Sequence, residues 1–220
     1  MKLAVIIPSR RLENLTECVG AVRRHEPDMP IVVVPDGVSF PSFAPGLDFV
    51  AGLRPFVYAR NINLGIGAAA SLHDPEGFIL LNDDALLQTP GGFTALGEDA
   101  DQRRDYGVIS AVTNSAGNPN QYSRGSGFRE EFKTLCFVCV LITARAIRRV
   151  GALDERFTAY GWEDNDFCRR TREARLKLGI SENCFVDHRS LRSSFRGSPG
   201  ASGDISAGAA IYKAKWGDLQ

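Results

Sequence analysis

The amino-acid sequence predicts a single α/β domain of Rossmann-like type with a mostly parallel central sheet. The first observation is that the chain opens with a strand, a helix and a second strand over residues 3–34. The second is that apolar runs of strand length alternate with helical stripes as far as residue 186. Such alternation favours parallel strands joined by right-handed crossovers, with a ligand site beyond the carboxyl ends of the strands.

The first three elements have the clearest patterns. Leu3 to Ile7 is an uninterrupted aliphatic run, typical of a strand buried on both faces. Ser9 is placed to cap the following helix, whose apolar residues recur at helical spacing over residues 12–22. Ile31 to Val34 repeats the strand pattern.

The next part of the chain is less regular. Residues 39–55 contain three prolines and are predicted to form a loop with one short strand near Phe49. A strand is predicted from Pro55 to Tyr58, and an Ala-rich helix after Asn61 to Gly67. The apolar run from Phe78 to Leu81 predicts a buried strand that leads directly into polar residues at the ligand edge.

A helix and a strand are predicted over residues 93–111, before an irregular stretch from residue 114 to 133. The apolar run from Cys136 to Ile142 has the length of a strand. Thr143 then caps a short helix that ends at Gly151, where a glycine is expected.

The last elements are a helix with its apolar stripe over residues 167–178, a short strand at 184–186 and a helix-like stripe over 205–216. Residues 1–190 are predicted to form the main domain. Residues 191–220 are predicted to form a flexible basic flap and a C-terminal helix that packs on that domain.

The composition excludes several classes of function. The 220-residue chain has 26 basic and 26 acidic residues, so it has no global field to hold a nucleic acid or an anionic membrane. Its five cysteines are an odd number scattered through apolar segments, which indicates reduced thiols. No apolar run is long enough for a signal peptide or a transmembrane segment. The expected location is cytoplasmic.

Polar residues follow the strand that ends at Leu81. Asn82, Asp83 and Asp84 come directly after it, with side chains 82 and 84 expected to point one way and side chain 83 the other. Clustered oxygen ligands suit Mg²⁺ or Mn²⁺ bound together with substrate phosphates. A polar turn would use the same residue types, so the motif alone leaves both interpretations open.

A second acidic cluster, Glu163, Asp164 and Asp166, follows Trp162 at the start of a predicted helix. Carboxylates in a first helical turn complement the helix dipole by about 0.3–1 kcal/mol each. Alternatively, an ionised carboxylate within about 3 Å of an acceptor hydroxyl acts as a general base. The aromatic residue before the acids favours the second interpretation.

His188 stands just after the last predicted strand, where both a metal-ligand role and an ordinary structural role are open. Arg189, Arg192 and Arg196 follow it with no acid among them. This segment is either a solvated tail or a basic flap that folds over a diphosphate.

Taken in order, these motifs resemble those of the GT-A glycosyltransferases, specifically the inverting, metal-dependent group similar to family 2. The resemblance covers residues 3–190 and rests on six motifs in the order in which the family has them. They are VIIPSR (5–10), VVVPDG (32–37), NLGIGA (63–68), LLNDDA (80–85), CVLI (139–142) with GALDERF (151–157), and YGWEDNDF (160–167).

The resemblance implies a role for each matching residue. Asp84 and His188 would bind Mn²⁺ or Mg²⁺, which bridges the donor diphosphate. Asp164 would be the general base, with Glu163 orienting the acceptor beside Trp162. The donor nucleotide pocket would be lined by Pro8, Ser9, Arg10, Asp36, Asn63, Gly65 and Asp83.

The implied reaction moves a sugar, as in a hexosyltransferase, from a UDP-, GDP- or dTDP-sugar to a hydroxyl of a glycan or another acceptor. Two departures from the family pattern are a single acid, Asp36, after the second strand and Asn82 at the first position of the metal motif. A retaining GT-A transferase, a nucleotidyltransferase and an inactive nucleotide-sugar-binding module stay open as alternatives. The loop after the first strand lacks the glycine of a nucleotidyltransferase, and the presence of both Asp84 and Asp164 argues against an inactive module.

Overall fold

The computed structural model describes residues 1–35, 46–158, 161–189 and 205–218. Within these residues it contains nine strands, six α-helices and one 3₁₀ turn. The strands are β1 (Leu3–Ser9), β2 (Ile31–Pro35), β3 (Leu47–Phe49), β4 (Gly77–Leu81), β5 (Ala85–Leu87), β6 (Tyr106–Thr113), β7 (Phe128–Glu131), β8 (Cys139–Thr143) and β9 (Lys177–His188). The helices are α1 (Leu12–His25), α2 (Tyr58–His73), α3 (Gly92–Gln102), α4 (Ala144–Val150), α5 (Glu163–Glu173) and α6 (Ser206–Trp216), and the 3₁₀ turn is Pro119–Gln121.

The strands form one sheet in the order β3-β2-β1-β4-β8-β6-β9-β5, and β7 pairs with β9 outside this order. Strands β1 to β4 pair with one another in parallel, and β6 and β9 run in the same direction beyond the antiparallel β8. Strands β5 and β7 are antiparallel to β9. Six of these nine strands therefore share one direction, which confirms the prediction of an α/β domain with a mostly parallel sheet.

Helices cover both faces of the sheet, and successive side chains of a strand point to opposite faces. On β1, Leu3, Val5 and Ile7 pack with residues of α1 and α3 in one core cluster. Ala4 and Ile6 pack with residues of α2 in the other. These five side chains are at most 4% exposed, as the uninterrupted aliphatic run predicts.

Helix α4 has both of the end signals predicted for it. Thr143 Oγ1 accepts a hydrogen bond from the backbone N–H of Ala146 at 3.1 Å. Gly151 lies just beyond the last helical residue with a φ of 86°, a conformation that glycine adopts without steric cost. The predicted short strand near Phe49 is also present, as β3.

Two predictions for the α2 region are wrong. Residues 55–58 form no strand, since Tyr58 is the first residue of α2. Asn61 to Gly67 lies inside this helix and does not precede it. Residues 55–57 precede α2 and Tyr58 lies in its first turn, although an apolar run of this kind is also typical of a strand.

The predicted end of α5 is also wrong. Leu178 belongs to β9, because the helix ends at Glu173 and Arg175 adopts a left-handed φ of 57°. The short strand predicted at 184–186 is the last part of this longer strand. The apolar run that begins at Cys136 forms a strand only from Cys139.

The structure bears on two expectations drawn from composition. All five cysteines are free thiols, and four of them are buried. Within the described residues, every helix is too short or too polar to cross a lipid bilayer.

Strands β1, β4 and β9 have their carboxyl ends at the same edge of the sheet, since they share one direction. Strand β8 runs the other way, so the segment before it, residues 135–138, lies at this edge as well. Its Val138 carbonyl accepts a hydrogen bond from the Asn82 N–H at 3.0 Å. Helix α5 packs on the same segment, with the rings of Phe137 and Phe167 6.0 Å apart. The predicted acidic motifs are therefore carried on elements that meet at this edge.

Candidate active site

Ser9 and Asp83 are joined at the carboxyl ends of β1 and β4, which pair in parallel. The Ser9 Oγ donates a hydrogen bond to Asp83 Oδ2 at 2.7 Å, and both residues are at most 1% exposed. Ser9 therefore does not cap α1. Helix α1 begins after Arg11, which makes no side-chain cap.

Asp84 and His188 are brought together by the pairing of β5 with the end of β9, in which Ala85 lies opposite His188. The Nε2 atom of His188 is 3.4 Å from Asp84 Oδ1. The other ring nitrogen, Nδ1, lies 2.6 Å from the carbonyl oxygen of Ser115, so Nδ1 carries the proton that is donated there. In the neutral imidazole, this tautomer leaves a lone pair on Nε2, the form in which histidine binds a metal.

The residues around Asp84 fit a divalent cation. Asp84 Oδ2 is buried and receives no hydrogen bond from the described residues. A buried acceptor without a partner is costly, so this oxygen is suited to receive a cation or a hydrogen-bond donor. The described residues contain no group of three or more side chains arranged to hold a metal by themselves. Two protein ligands would leave coordination positions for phosphate oxygens and water, the usual arrangement for Mg²⁺.

Glu163 and Asp164 occupy the first turn of α5. Burial is the largest cause that raises the pKa of Asp164 above its ordinary value, and a backbone hydrogen bond from Asn165 at 2.8 Å acts in the opposite direction. Burial, and then the charge of Asp164, raise the pKa of Glu163. Glu163 Oε2 is buried and has no hydrogen-bond partner among the described residues. A carboxyl pair with raised pKa values is suited to proton transfer near neutral pH.

The thiol next to this pair is not a nucleophile. Burial and the nearby charge of Asp164 raise the pKa of Cys136 to about 12. Cys136 therefore stays protonated at neutral pH, and the thiolate is the reactive form of cysteine.

Trp162 lies directly before the two acids, in a left-handed backbone conformation with a φ of 75°. Its indole ring is partly buried and packs against Tyr212 of α6, with the ring centroids 5.1 Å apart. The position of the Trp162 ring is thus fixed by a contact from the C-terminal helix.

The predicted donor-pocket residues differ in their surroundings. Pro8 is buried within β1, and the guanidinium group of Arg10 lies 5.9 Å from the centre of the Phe56 ring. The Asn63 amide bonds both the N–H and the carbonyl of Leu153, at 3.0 and 2.9 Å. Gly65 is buried against β1. The role of these four residues in donor binding stays a prediction.

Asp166 does not share the surroundings of the other two acids. It is fully buried and paired with Arg170, Lys215 and Trp216, so it belongs to the contact between α5 and α6. Sequence reasoning grouped it with its neighbours because its two partners from α6 are about fifty positions away, where no local pattern marks them.

The basic segment after His188 is described only at its first residue. Arg189 is exposed and pairs with Glu17 at 2.9 Å and Asp187 at 3.3 Å. Arg192 and Arg196 lie outside the described residues, as does Asp36. Ser115 was missed by sequence reasoning, because a backbone carbonyl that orients a histidine leaves no signal in residue type.

No protein-family profile matches the chain, and no curated protein matches it in sequence. Solved structures do match. GalNAc-T7, crystallised with UDP, GalNAc and Mn²⁺, aligns with a TM-score of 0.67 at 12% identity, over 86% of this chain and 44% of that one. TarS from S. aureus, as residues 1–349, aligns with a TM-score of 0.62 at 14% identity, over 89% of this chain and 62% of that one. A second TarS structure gives 0.64 at 14% identity, over 85% and 36%.

The chain therefore spans between 36% and 62% of the length of these structures. Both proteins are GT-A glycosyltransferases. At such low identity the likeness concerns the fold, and function has to be argued from the site. The chain has the GT-A fold that its motifs predict.

Proposed function

We propose that this protein transfers a sugar from a nucleotide-diphosphate sugar to an acceptor hydroxyl, in an inverting reaction that depends on a divalent cation. The observation that carries the proposal is the buried Oδ2 of Asp84, which has no hydrogen-bond partner among the described residues and lies on the side chain next to His188. Asp164 and Glu163 lie at the same edge of the sheet. One part of this edge suits a cation with a diphosphate, and the other suits proton transfer.

Asp84 and His188 would hold the cation. His188 Nε2 and Asp84 Oδ2 would be the two metal ligands from the protein, and the hydrogen bond to the Ser115 carbonyl fixes the histidine ring. GalNAc-T7, which shares the fold, was crystallised with UDP and Mn²⁺, and this supports Mn²⁺ or Mg²⁺ here. When bound, the cation supplies stabilisation of the charge that grows on the departing nucleoside diphosphate.

Asp164 would be the general base. Its carboxylate takes the proton of the acceptor hydroxyl while the acceptor oxygen forms a bond to the anomeric carbon. The bond between that carbon and the diphosphate oxygen breaks, and the diphosphate leaves with the electron pair. Attack from the face opposite the leaving group inverts the configuration. A raised pKa makes Asp164 a stronger base than an ordinary aspartate once it is ionised.

The remaining roles follow from position. Glu163 would orient the acceptor beside the indole ring of Trp162. Asp83, held by Ser9, would lie on the donor side near the ribose. Pro8 and Arg10 would line the rest of the nucleotide pocket.

Asp164→Asn tests the assignment of the base. The variant should lose transfer, because an amide cannot accept the proton, while metal-dependent donor binding measured by calorimetry stays unchanged. Glu173→Gln is the matched control, since Glu173 is an exposed acid on the same helix. Full transfer activity in Asp164→Asn would refute the role of Asp164.

The configuration of the product separates the alternatives. Proton NMR of the freshly formed glycoside gives the anomeric configuration, which a retaining transferase would leave unchanged. Release of inorganic pyrophosphate would instead indicate a nucleotidyltransferase. Donor binding without any turnover would indicate a nucleotide-sugar-binding module.

A further inference from the structure

The C-terminal helix α6 is docked closely on the turn that begins α5. A Cβ atom added at Gly208 would lie 2.5 Å from the carbonyl oxygen of Gly161 and 3.1 Å from Cδ1 of Trp162. Tyr212, one helical turn further on, is fully buried against the Trp162 ring. Helix α6 thus forms one wall of the space that Trp162 occupies.

A buried carboxylate ties the two helices together. Asp166 Oδ1 accepts a hydrogen bond from Trp216 Nε1 at 2.9 Å and lies 2.6 Å from Lys215 Nζ. Asp166 Oδ2 accepts a hydrogen bond from Arg170 Nε at 2.8 Å. Arg170 comes from α5 itself, whereas the other two donors come from α6. Because charge-assisted bonds from both helices meet on one carboxylate, the position of α6 fixes the position of the first turn of α5.

Lys215 extends this contact to a third segment. Its Nζ lies 2.7 Å from Asp154 Oδ2, and Arg156 and Lys215 hold the pKa of Asp154 far below its ordinary value. The adjoining Leu153 is bonded on both backbone groups by Asn63 of α2. One ammonium group therefore joins α6, α5 and a segment anchored on α2.

The turn held in this way has an uncommon backbone. Trp162 has a φ of 75°, and a bulky residue keeps such a conformation only when its surroundings determine it. Glu163 and Asp164 follow directly, so the direction of both carboxyl groups depends on this residue. Tyr212 and Gly208 pack around the Trp162 ring, which precedes the two acids.

Lys215 and Trp216 hold Asp166, which follows the two acids in the same helical turn.

We infer that Lys215 and Trp216 are positioning residues for sugar transfer, which act through Asp166 to hold Trp162, Glu163 and Asp164 in place. This inference rests on the proposed function. A base displaced from its working position slows the chemical step, whereas other residues, around Ser9 and Asp84, form the proposed donor site. The effect should therefore fall on kcat, and the KM for the donor should not change.

Lys215→Met tests the inference, since it removes the charge and keeps most of the length of the side chain. We expect kcat to fall by about tenfold to a hundredfold, the range that small misplacements of reacting groups produce. Lys215→Arg, which keeps a charge within reach of both aspartates, should recover much of the activity. Lys213→Met is the matched control, because Lys213 is exposed on the same helix.

Tryptophan fluorescence gives a readout that does not need turnover. The chain has two tryptophans, Trp162 and Trp216, and both lie in this contact. Lys215→Met should make their emission easier to quench with acrylamide, and Lys213→Met should not. If Lys215→Met does not fold, Trp216→Phe keeps the aromatic ring, removes the N–H donor to Asp166 and leaves Trp162 as the single reporter.

The outcomes separate the two claims. Wild-type kcat in the variants, or a loss that matches the unfolded fraction measured by circular dichroism, would overturn the positioning role and leave the proposed function intact. A wild-type protein that turns over no nucleotide sugar would overturn the proposed function, and the positioning role with it.

Discussion

Gly65 allows packing and donor binding to be tested separately. A Cβ atom added at this residue of α2 would lie 2.4 Å from Cγ2 of Ile6 and 3.1 Å from Cγ2 of Val34. Carbon atoms pack best at about 3.5–4.0 Å, so Gly65→Ala overlaps Ile6 by more than 1 Å. Ile6 is fully buried and β-branched, and it has little freedom to turn away.

Overpacking of this kind costs about 1–3 kcal/mol, while the higher helix propensity of alanine returns about 1 kcal/mol. Gly67 on the same helix is the control, because nothing lies within 4 Å of an added Cβ there and only the propensity gain applies. Gly65→Ala should therefore be less stable than Gly67→Ala by about 2 kcal/mol, which is about 4–8 °C in Tm for a chain of this size.

Urea denaturation and thermal unfolding of the two variants measure this difference. Equal stability would refute the packing argument. Calorimetry with a nucleotide-sugar donor then tests the predicted role of Gly65 in donor binding. If Gly65 contacts the donor, Gly65→Ala lowers the donor affinity of the folded variant. If Gly65 serves packing alone, the substitution lowers stability and leaves the donor affinity unchanged.

Two further predictions concern the acidic groups. Asp84→Ala should abolish the gain in donor affinity that Mn²⁺ provides, and an unchanged calorimetric affinity would contradict the metal role. Burial raises the pKa of Glu163 in the folded protein, so folding takes up a proton at pH values between the ordinary glutamate pKa and the raised one. The free-energy cost of burying the ionised carboxylate is absent below this pH range and complete above it. Glu163→Gln should therefore raise Tm more at pH 8.5 than at pH 5. An equal change in Tm at both pH values would argue against a raised pKa.

The strands of the sheet were the easiest elements to predict, because short runs of β-branched and aliphatic residues are typical of strands buried on both faces. Leu3 to Ile7 and Phe78 to Leu81 are apolar at every position and became strands covered on both faces. The Thr143 and Gly151 signals for α4 were equally informative, since a cap and a positive φ act within a few residues.

The errors came from contacts between residues far apart in the sequence. Ser9 had the local pattern of a helix cap, but its hydroxyl is bound to Asp83, which is 74 positions away. Leu178 continued an apolar helical stripe, yet the chain turns at Arg175 and pairs with β6. Asp166 looked like a member of the acidic site because Lys215 and Trp216 cannot be placed from local sequence.

The motif acids lie at the edge of the sheet where the sequence predicts them, but their individual surroundings could not be derived from spacing. Asp83 and Asp84 are adjacent in the sequence, but Asp83 is bound to Ser9, whereas Asp84 faces His188 and has one oxygen without a hydrogen-bond partner among the described residues. That difference depends on the pairing of β5 with β9, which no residue pattern near Asp84 reveals.

The proposed function requires that this protein turn over a nucleotide sugar in a reaction that depends on a divalent cation. The most direct measurement follows release of nucleoside diphosphate from UDP-, GDP- and dTDP-sugars, with Mn²⁺ and after its removal by EDTA. We expect release from at least one donor with Mn²⁺, loss of release in EDTA, and recovery when Mn²⁺ is added back. Absence of release from every donor, or release unaffected by EDTA, would contradict the proposed function.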